Sequence, residues 1–206
     1  MSQPLMSLAR RVASLLEVND CKIVFAESCT AGLVSAVLGR IPGISRFHCG
    51  SAVVYQLDTK TSWLGISPLT LSDPGAVSEP VAVLMATEVL ARTPAAGIAV
   101  SITGHLGPHA PSDQDGLIFI AIAHRTREGV RSAAYRYVLP ESGLIQDLTE
   151  IESVREWRQW KATEMVFDHV IGFFKGLHSL EFCCGESSRP ASTGGSGDGA
   201  GAGGPS

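Results

Sequence analysis

Lys22-Ile23-Val24-Phe25-Ala26-Glu27-Ser28-Cys29-Thr30-Ala31-Gly32 is the stretch on which the fold turns. Its first half, Lys22 to Ala26, is a short apolar run with the length of a buried strand. The run stops in small polar residues, and Leu33-Val34-Ser35-Ala36-Val37-Leu38 continues as an apolar segment of helical length. The polar cluster therefore marks a strand turning into a helix. The first turn of a helix carries unpaired N–H groups and the positive end of the helix dipole, and both stabilise negative charge. Two readings of Ser28 stand at this point. It caps the helix, as Ser before a helix usually does, or its hydroxyl is a nucleophile beside a ready-made anion site.

The same alternation extends outward from this junction. Upstream, Leu5, Leu8, Val12, Leu15 and Leu16 have helical spacing, closed by Asn19-Asp20. Downstream, Ile41-Pro42-Gly43 breaks the second helix, Ser51 to Tyr55 reads as a second strand ending on an aromatic hydroxyl, and Asp58 to Gly65 reads as a short helix closed by glycine. A turn at Asp73-Pro74-Gly75 leads to a helix capped by Ser78. Gly97 to Ile102 is a strand running into Thr103-Gly104-His105-Leu106-Gly107-Pro108, Leu117 to Ala123 is apolar enough to be covered on both faces, Ser132 to Val138 is an outer strand, and Thr149 to Leu177 is helical in two pieces. Alternating strands and helices imply an α/β fold, an α/β/α sandwich with a mostly parallel sheet. Working groups gather at the carboxyl ends of such strands, and three of these ends carry Ser28, Tyr55 and Thr103-Gly104.

Composition bounds the partners. The 206 residues are 45% hydrophobic and 17% charged, with a mean hydropathy of +0.19, which describes a packed domain. We expect that domain to span 1–182, followed by a disordered Gly/Ser-rich tail at 183–206. A net charge of −4 without a basic run leaves no electrostatic footprint for nucleic acid or an anionic membrane. No apolar segment reaches the ~18 residues of a membrane span, and Met1 to Arg11 does not read as a secretion signal. The five Cys include no Cys-x-x-Cys pair, which argues against a disulfide framework or zinc site and is compatible with the reducing cytoplasm. His105 and His109 are separated by Gly107 and Pro108, so no helix holds them on one face and no metal site is expected.

Several familiar catalytic motifs are absent, among them Gly-x-Ser-x-Gly, Ser-x-x-Lys, a Gly-Lys-Ser/Thr phosphate loop and His-Glu-x-x-His. What remains near the strand ends is Ser28, Tyr55 and, five residues later, Lys60. Lysine serves as a base only if desolvation lowers its pKa by ~2 to 3 units, a charging penalty of about 3 to 4 kcal/mol. The other reading is a solvated Lys on a helix face and a Tyr at a strand end. Cys29 is the competing nucleophile, since a thiolate at a helix start is intrinsically more reactive.

Glu27-Ser28-Cys29-Thr30-Ala31-Gly32, Tyr55 with Lys60, Gly75-Ala76-Val77-Ser78-Glu79 and Thr103-Gly104-x-x-Gly107-Pro108, in that order, resemble the C-terminal domain family of CinA, the competence- and damage-inducible protein. The resemblance implies a three-layer α/β/α sandwich with a mixed sheet, a homo-oligomer (dimer or higher), and the activity of a nicotinamide-nucleotide amidase. Such an enzyme hydrolyses the linear amide of nicotinamide mononucleotide to nicotinic acid mononucleotide and ammonia. It further implies Ser28 as nucleophile, Lys60 as general base and Tyr55 as a hydroxyl between or beside them, with no cofactor. Substrate contacts are expected from Cys29, Thr30, Gly32, Thr103, Gly104 and Gly107, with the backbone N–H groups at Cys29 to Thr30 or at Gly104 to Gly107 as candidates for holding the oxyanion. Thr30, Arg46 and Arg158 are candidates for a phosphate. A catalytically silent nucleotide-binding domain and a serine-lysine amidase on another small amide are the alternatives.

Three departures from the family pattern stand out. Ala31 replaces a glycine, a change expected to be harmless inside a helix. His105 and Leu106 replace small apolar residues, and the Ala110-Pro111-Ser112-Asp113-Gln114-Asp115-Gly116 loop is shorter and lacks a lysine. The molybdopterin-binding-like half of longer family members is not in this sequence, so it resembles the stand-alone form.

Overall fold

The computed structural model describes residues 3–111, 113–141 and 153–177. They form α1 (Gln3–Val18), β1 (Ile23–Glu27), α2 (Leu33–Leu38), β2 (His48–Val53), α3 (Leu57–Leu64), the single turn α4 (Pro68–Thr70), α5 (Glu79–Ala91), β3 (Ile98–Gly104), β4 (Leu117–Thr126), β5 (Gly129–Val138) and α6 (Val154–Leu177). The strands make one sheet in the order β2-β1-β3-β4-β5. β1 is parallel to both β2 and β3, whereas β4 is antiparallel to β3 and β5 antiparallel to β4. Four strands thus point one way and β4 alone runs back, which makes the sheet mixed and mostly parallel. The reversal has a local cause. Thr126 pairs with Gly129, leaving only Arg127 and Glu128 between β4 and β5, and so short a connection can only form a hairpin.

Alternate strand residues feed two separate cores. On one face Ile23 and Phe25 of β1, Ile98, Val100 and Ile102 of β3, and Ile118, Ile120 and Ile122 of β4 pack against α1, α2 and α6. On the other face Val24 and Ala26, Ala99, and Ala121 and Ala123 meet α3 and α5. Around Ser101 the second face is floored by small residues, with Leu117 and Phe119 further along β4, so α5 lies close enough for Ser101 Oγ to donate to the Ala82 carbonyl at 2.6 Å. Each fully buried Ile of the first face contributes about 1.5 to 3 kcal/mol. The result is three layers, helix-sheet-helix, as expected.

Some local expectations are corrected. β2 ends at Val53, two residues short of Tyr55, which stands in the loop before α3. Ser78 has an extended backbone at the start of α5, but its hydroxyl donates back to the Gly75 carbonyl at 2.7 Å and caps nothing. From Val154 onward α6 is one helix, not two pieces. Residues 149–152, the 182/183 boundary and the 183–206 tail lie outside the described residues. Among those described, no helix is long and apolar enough to cross a membrane.

Candidate active site

The carboxyl end of β1 delivers Glu27 and Ser28 to the edge of the sheet. Glu27 is fully buried, and its carboxylate accepts four hydrogen bonds. These come from Thr30 Oγ1 (2.8 Å), the N–H groups of Val34 and Ser35 (3.0 Å each) and Ser51 Oγ (3.0 Å). It takes up the donors at the start of α2, the first-turn groups that a helix otherwise leaves open. This corrects the reading of Ser28 as a helix cap, and also the expectation that the start of α2 is itself an open anion site. Ser28 stands in an irregular turn, α2 begins only at Leu33, and the open end of α2 is closed by Glu27. The turn bends through Ala31 (φ 53°) and Gly32 (φ 96°), both left-handed. Ala31 is therefore not in a helix, and its methyl occupies a backbone conformation that favours glycine.

Lys60 rises from α3 on the far side of the second core and reaches back to this turn. Its Nζ donates to Ser28 Oγ at 3.0 Å, to the Val54 carbonyl at 2.7 Å and to the Tyr55 carbonyl at 3.4 Å. The residue is 2% exposed. With no carboxylate among these partners, burial pulls the ammonium down to about 8 from its ordinary value of 10.5. A proton can thus leave Nζ near neutral pH. The neutral amine then donates to the two carbonyls and offers its lone pair to the Ser28 O–H.

The other expected residues divide. Tyr55, Thr103, Gly104, Gly107 and Cys29 line, with Ser28 and Lys60, a cleft of about 270 Å³. The Tyr55 hydroxyl accepts from Arg155 Nη2 at 2.6 Å and is not among the Lys60 partners, so what Tyr55 offers the lysine is its backbone carbonyl. Thr103 Oγ1 donates to the Ala76 carbonyl at 2.9 Å, which holds the end of β3 to the loop before α5. Gly104 is needed for close approach, because a Cβ there would stand 2.6 Å from Ile118 Cγ2 and 2.7 Å from the Leu117 carbonyl. Thr30 and Gly32 do not line the cleft. The hydroxyl of Thr30 is engaged by Glu27, and Gly32 serves the turn. Cys29 is 3% exposed, and burial pushes its thiol up to about 12, so it carries no thiolate near neutral pH.

Neither arginine named from the sequence faces the cleft freely. Arg46 precedes β2, at the opposite end of the sheet from the carboxyl end of β1, near Glu17 at 3.7 Å. Arg158 is 1% exposed and paired with both oxygens of Asp115 at 2.8 and 2.7 Å, and this bond holds the Asp115 carboxyl below its usual range. The arginine that does line the cleft is Arg155, whose Nη1 donates to the Gly107 carbonyl at 2.6 Å. Its separation of 100 residues from Tyr55 left no local signal to find it by. The same holds for Gln159, whose Nε2 donates to the Cys29 carbonyl at 3.1 Å across 130 residues. Glu27 was visible beside Ser28, but only its burial discloses its task.

Comparisons with known proteins agree with this architecture. A family model described as the CinA C-terminal domain matches residues 5–141. The chain is 41% identical over 132 residues to a CinA-like protein of Chlorobium limicola, covering 63% of this chain and 30% of that protein. It is 38% identical over 136 residues to a CinA-like protein of Chlorobaculum tepidum, covering 65% and 32%. The chain therefore spans about three-tenths of the length of these curated relatives. Among solved structures, the competence/damage inducible protein CihA from Agrobacterium tumefaciens is similar at a TM-score of 0.72 and 27% identity, covering 84% of this chain and 96% of that one. A competence or damage-inducible protein from Enterobacter asburiae, at 22% identity and a TM-score of 0.70, covers 84% and 99% and shares the fold.

Proposed function

The chain belongs to the CinA C-terminal domain family, and on that premise we propose that it is an amidohydrolase of the nicotinamide-nucleotide amidase kind, converting nicotinamide mononucleotide to nicotinic acid mononucleotide and ammonia. The observation that carries this reading is a buried lysine, pulled down to about 8, at 3.0 Å from a serine hydroxyl in a cleft. A domain that only bound a nucleotide would have no use for that pair.

The chemistry follows from the geometry. Ser28 Oγ attacks the carboxamide carbon while its proton passes to the neutral amine of Lys60, forming a C–O bond and moving the carbonyl π pair onto oxygen. The oxyanion is received by the backbone N–H of Cys29 or by those along Gly104 to Gly107, all of which line the cleft, whereas Thr30 does not. Collapse breaks the C–N bond, and the leaving nitrogen takes the proton from Lys60 and departs as ammonia. Water then attacks the acyl-serine by the same route, with Lys60 again taking and returning the proton. Val54 and Tyr55 carbonyls hold the amine in line throughout. Arg155 is the cation in place for the phosphate of the nucleotide. The family premise also makes a homo-oligomer the expected assembly, to be checked by light scattering.

Ammonia release from purified protein supplied with nicotinamide mononucleotide tests the reading. Ser28→Ala and Lys60→Met should each lower turnover by about 10³-fold or more, and Cys29→Ala should stay near the unmodified protein. Undiminished ammonia release in Ser28→Ala would overturn the assignment. His105, Leu106 and His109 line the cleft, which favours as the second reading a serine-lysine amidase acting on a different small amide. Its sign would be ammonia from other amides and none from the mononucleotide.

A further inference from the structure

The sheet ends differently at its two sides. At one edge β2 is six residues long, and its pairing with β1 shifts register between Ile23 and Val24. At the other edge β5 runs for ten residues in unbroken register with β4, and no strand lies beyond it among the described residues. Exposed edges are normally blunted by shortness, bulges, proline or lysine, because their free N–H and C=O groups recruit other strands. Gly129 to Val138 has no proline, no lysine and no register shift, and it carries Val130, Tyr135 and Val138 exposed to solvent.

The ladder fixes which backbone groups of β5 face outward. Just past its end, the Leu139 N–H donates to the Gly116 carbonyl at 2.8 Å, toward the β4 side. Hydrogen-bonded positions alternate along an antiparallel strand, so Tyr137, Tyr135, Ala133 and Arg131 turn their backbone groups to β4 as well. Those of Val130, Ser132, Ala134, Arg136 and Val138 point away from β4. Side chains alternate with the same period. The outward-bonding set lies on the α5 face, where Ala134 packs on the second core, and the other set lies on the α6 face, where the Tyr137 hydroxyl meets His169 Nε2 at 2.9 Å.

This edge is complementary to itself. In antiparallel pairing with a second copy about a two-fold axis at Ala134, all nine residues from Val130 to Val138 gain a counterpart on their own face. On the α5 face Val130 falls opposite Val138, Ser132 opposite Arg136 and Ala134 opposite Ala134. On the α6 face Tyr135 falls opposite Ala133 and Tyr137 opposite Arg131. The exposed valines cover one another and no arginine meets an arginine, whereas an axis at Arg131 or Arg136 would set two guanidinium groups face to face. A two-fold interface requires this reciprocity, residue i meeting j and j meeting i.

We propose that β5 is the contact between two copies of this chain, its edge pairing with the same edge of the second copy so that the two sheets become one. The proposal names a surface for the homo-oligomer expected from the family and is independent of the Ser28 chemistry. Outward backbone groups supply the hydrogen bonds, and the valines and Tyr135 supply apolar area removed from water.

Light scattering on the full chain at micromolar concentration should give twice the chain mass of 21.7 kDa. Val130→Lys combined with Val138→Lys sets lysine opposite lysine at both ends of the interface and should raise the dimer Kd by about 100-fold or more. Val130→Glu combined with Val138→Glu should dissociate likewise. Mixing the two variants should restore a dimer holding one chain of each, which native mass spectrometry identifies. In the unmodified dimer the amides of Val130, Ser132, Ala134, Arg136 and Val138 should exchange with solvent about 10-fold or more slowly than in the lysine variant. A single-chain mass for the unmodified protein, a dimer that persists in either charged variant, or no mixed dimer would overturn the proposal. Should the charged variants fail to fold, Ser132→Pro removes an outward N–H and leaves the β4 ladder intact, and undiminished dimer in that variant refutes the pairing equally.

Discussion

Lys60 shows at the scale of one residue how burial changes the protonation of an ordinary group. Lowering its ammonium from 10.5 to about 8 means that the folded chain holds fewer protons than the unfolded chain between those values. Stability therefore rises with pH across that window, and below about 8 the charged lysine destabilises the fold by up to about 3 kcal/mol. Relative to Lys60→Met, the unmodified protein should gain stability from pH 8 to 10.5 in denaturant titrations. A flat difference would mean that the amine is solvated. On the proposed mechanism, turnover in the same protein should rise with pH to a plateau with its midpoint near 8, because there only the neutral amine takes the serine proton. Cys29 stands next to Ser28 and shares much of its environment, yet burial sends its thiol to about 12. For a lysine, desolvation favours the form that acts as a base, and for a cysteine it favours the form that cannot attack.

At the scale of elements, the turn between β1 and α2 concentrates the constraints. Glu27 closes the start of α2, Ser28 N–H donates to the Ile102 carbonyl at 3.0 Å, and the chain then passes through two left-handed residues. Ala31 is exposed, and its φ of 53° sets the methyl against its own backbone rather than against a neighbour. Ala31→Gly should therefore stabilise the protein by about 0.5 to 1 kcal/mol. Thermal or chemical denaturation would show it, and a loss of stability would mean that the turn is not left-handed. The stretch before α2 reads from sequence as the first turn of the helix because small polar residues are ambiguous between a cap and an irregular turn. The buried carboxylate resolves that ambiguity, since one side chain takes N–H donors that a cap or a ligand would otherwise claim.

Across the whole molecule, the cleft is assembled from five separate pieces of chain: the turn after β1, the loop and helix after β2, the end of β3 with its following loop, the loop before α5 with Ala76 and Val77, and the first turns of α6. The sheet brings the first three together, because β1, β2 and β3 are parallel neighbours whose carboxyl ends share one edge. α6 then ties their loops through Arg155, Arg158 and Gln159. A ligand that engages Arg155 draws on all of these pieces at once. On the proposed function, nicotinic acid mononucleotide at a hundred times its Kd should raise the unfolding free energy by about 2.7 kcal/mol, and Arg155→Met should abolish most of that gain at the same ligand concentration. An equal gain in the variant would place the phosphate elsewhere.

The alternation of apolar runs with polar breaks determined by itself that this chain is a layered α/β domain, and it set Ser28 and Tyr55 near strand ends with Lys60 five residues later, three residues that meet in one cleft. Such patterns are local, written by side chains within a few residues of one another. Only the tertiary structure decided which way the Tyr55 hydroxyl turns, which arginine lines the cleft, and that the Cys29 carbonyl is held from α6. Those facts depend on which distant residues are brought together and on how far each is removed from water, and neither is a property of any short stretch of chain.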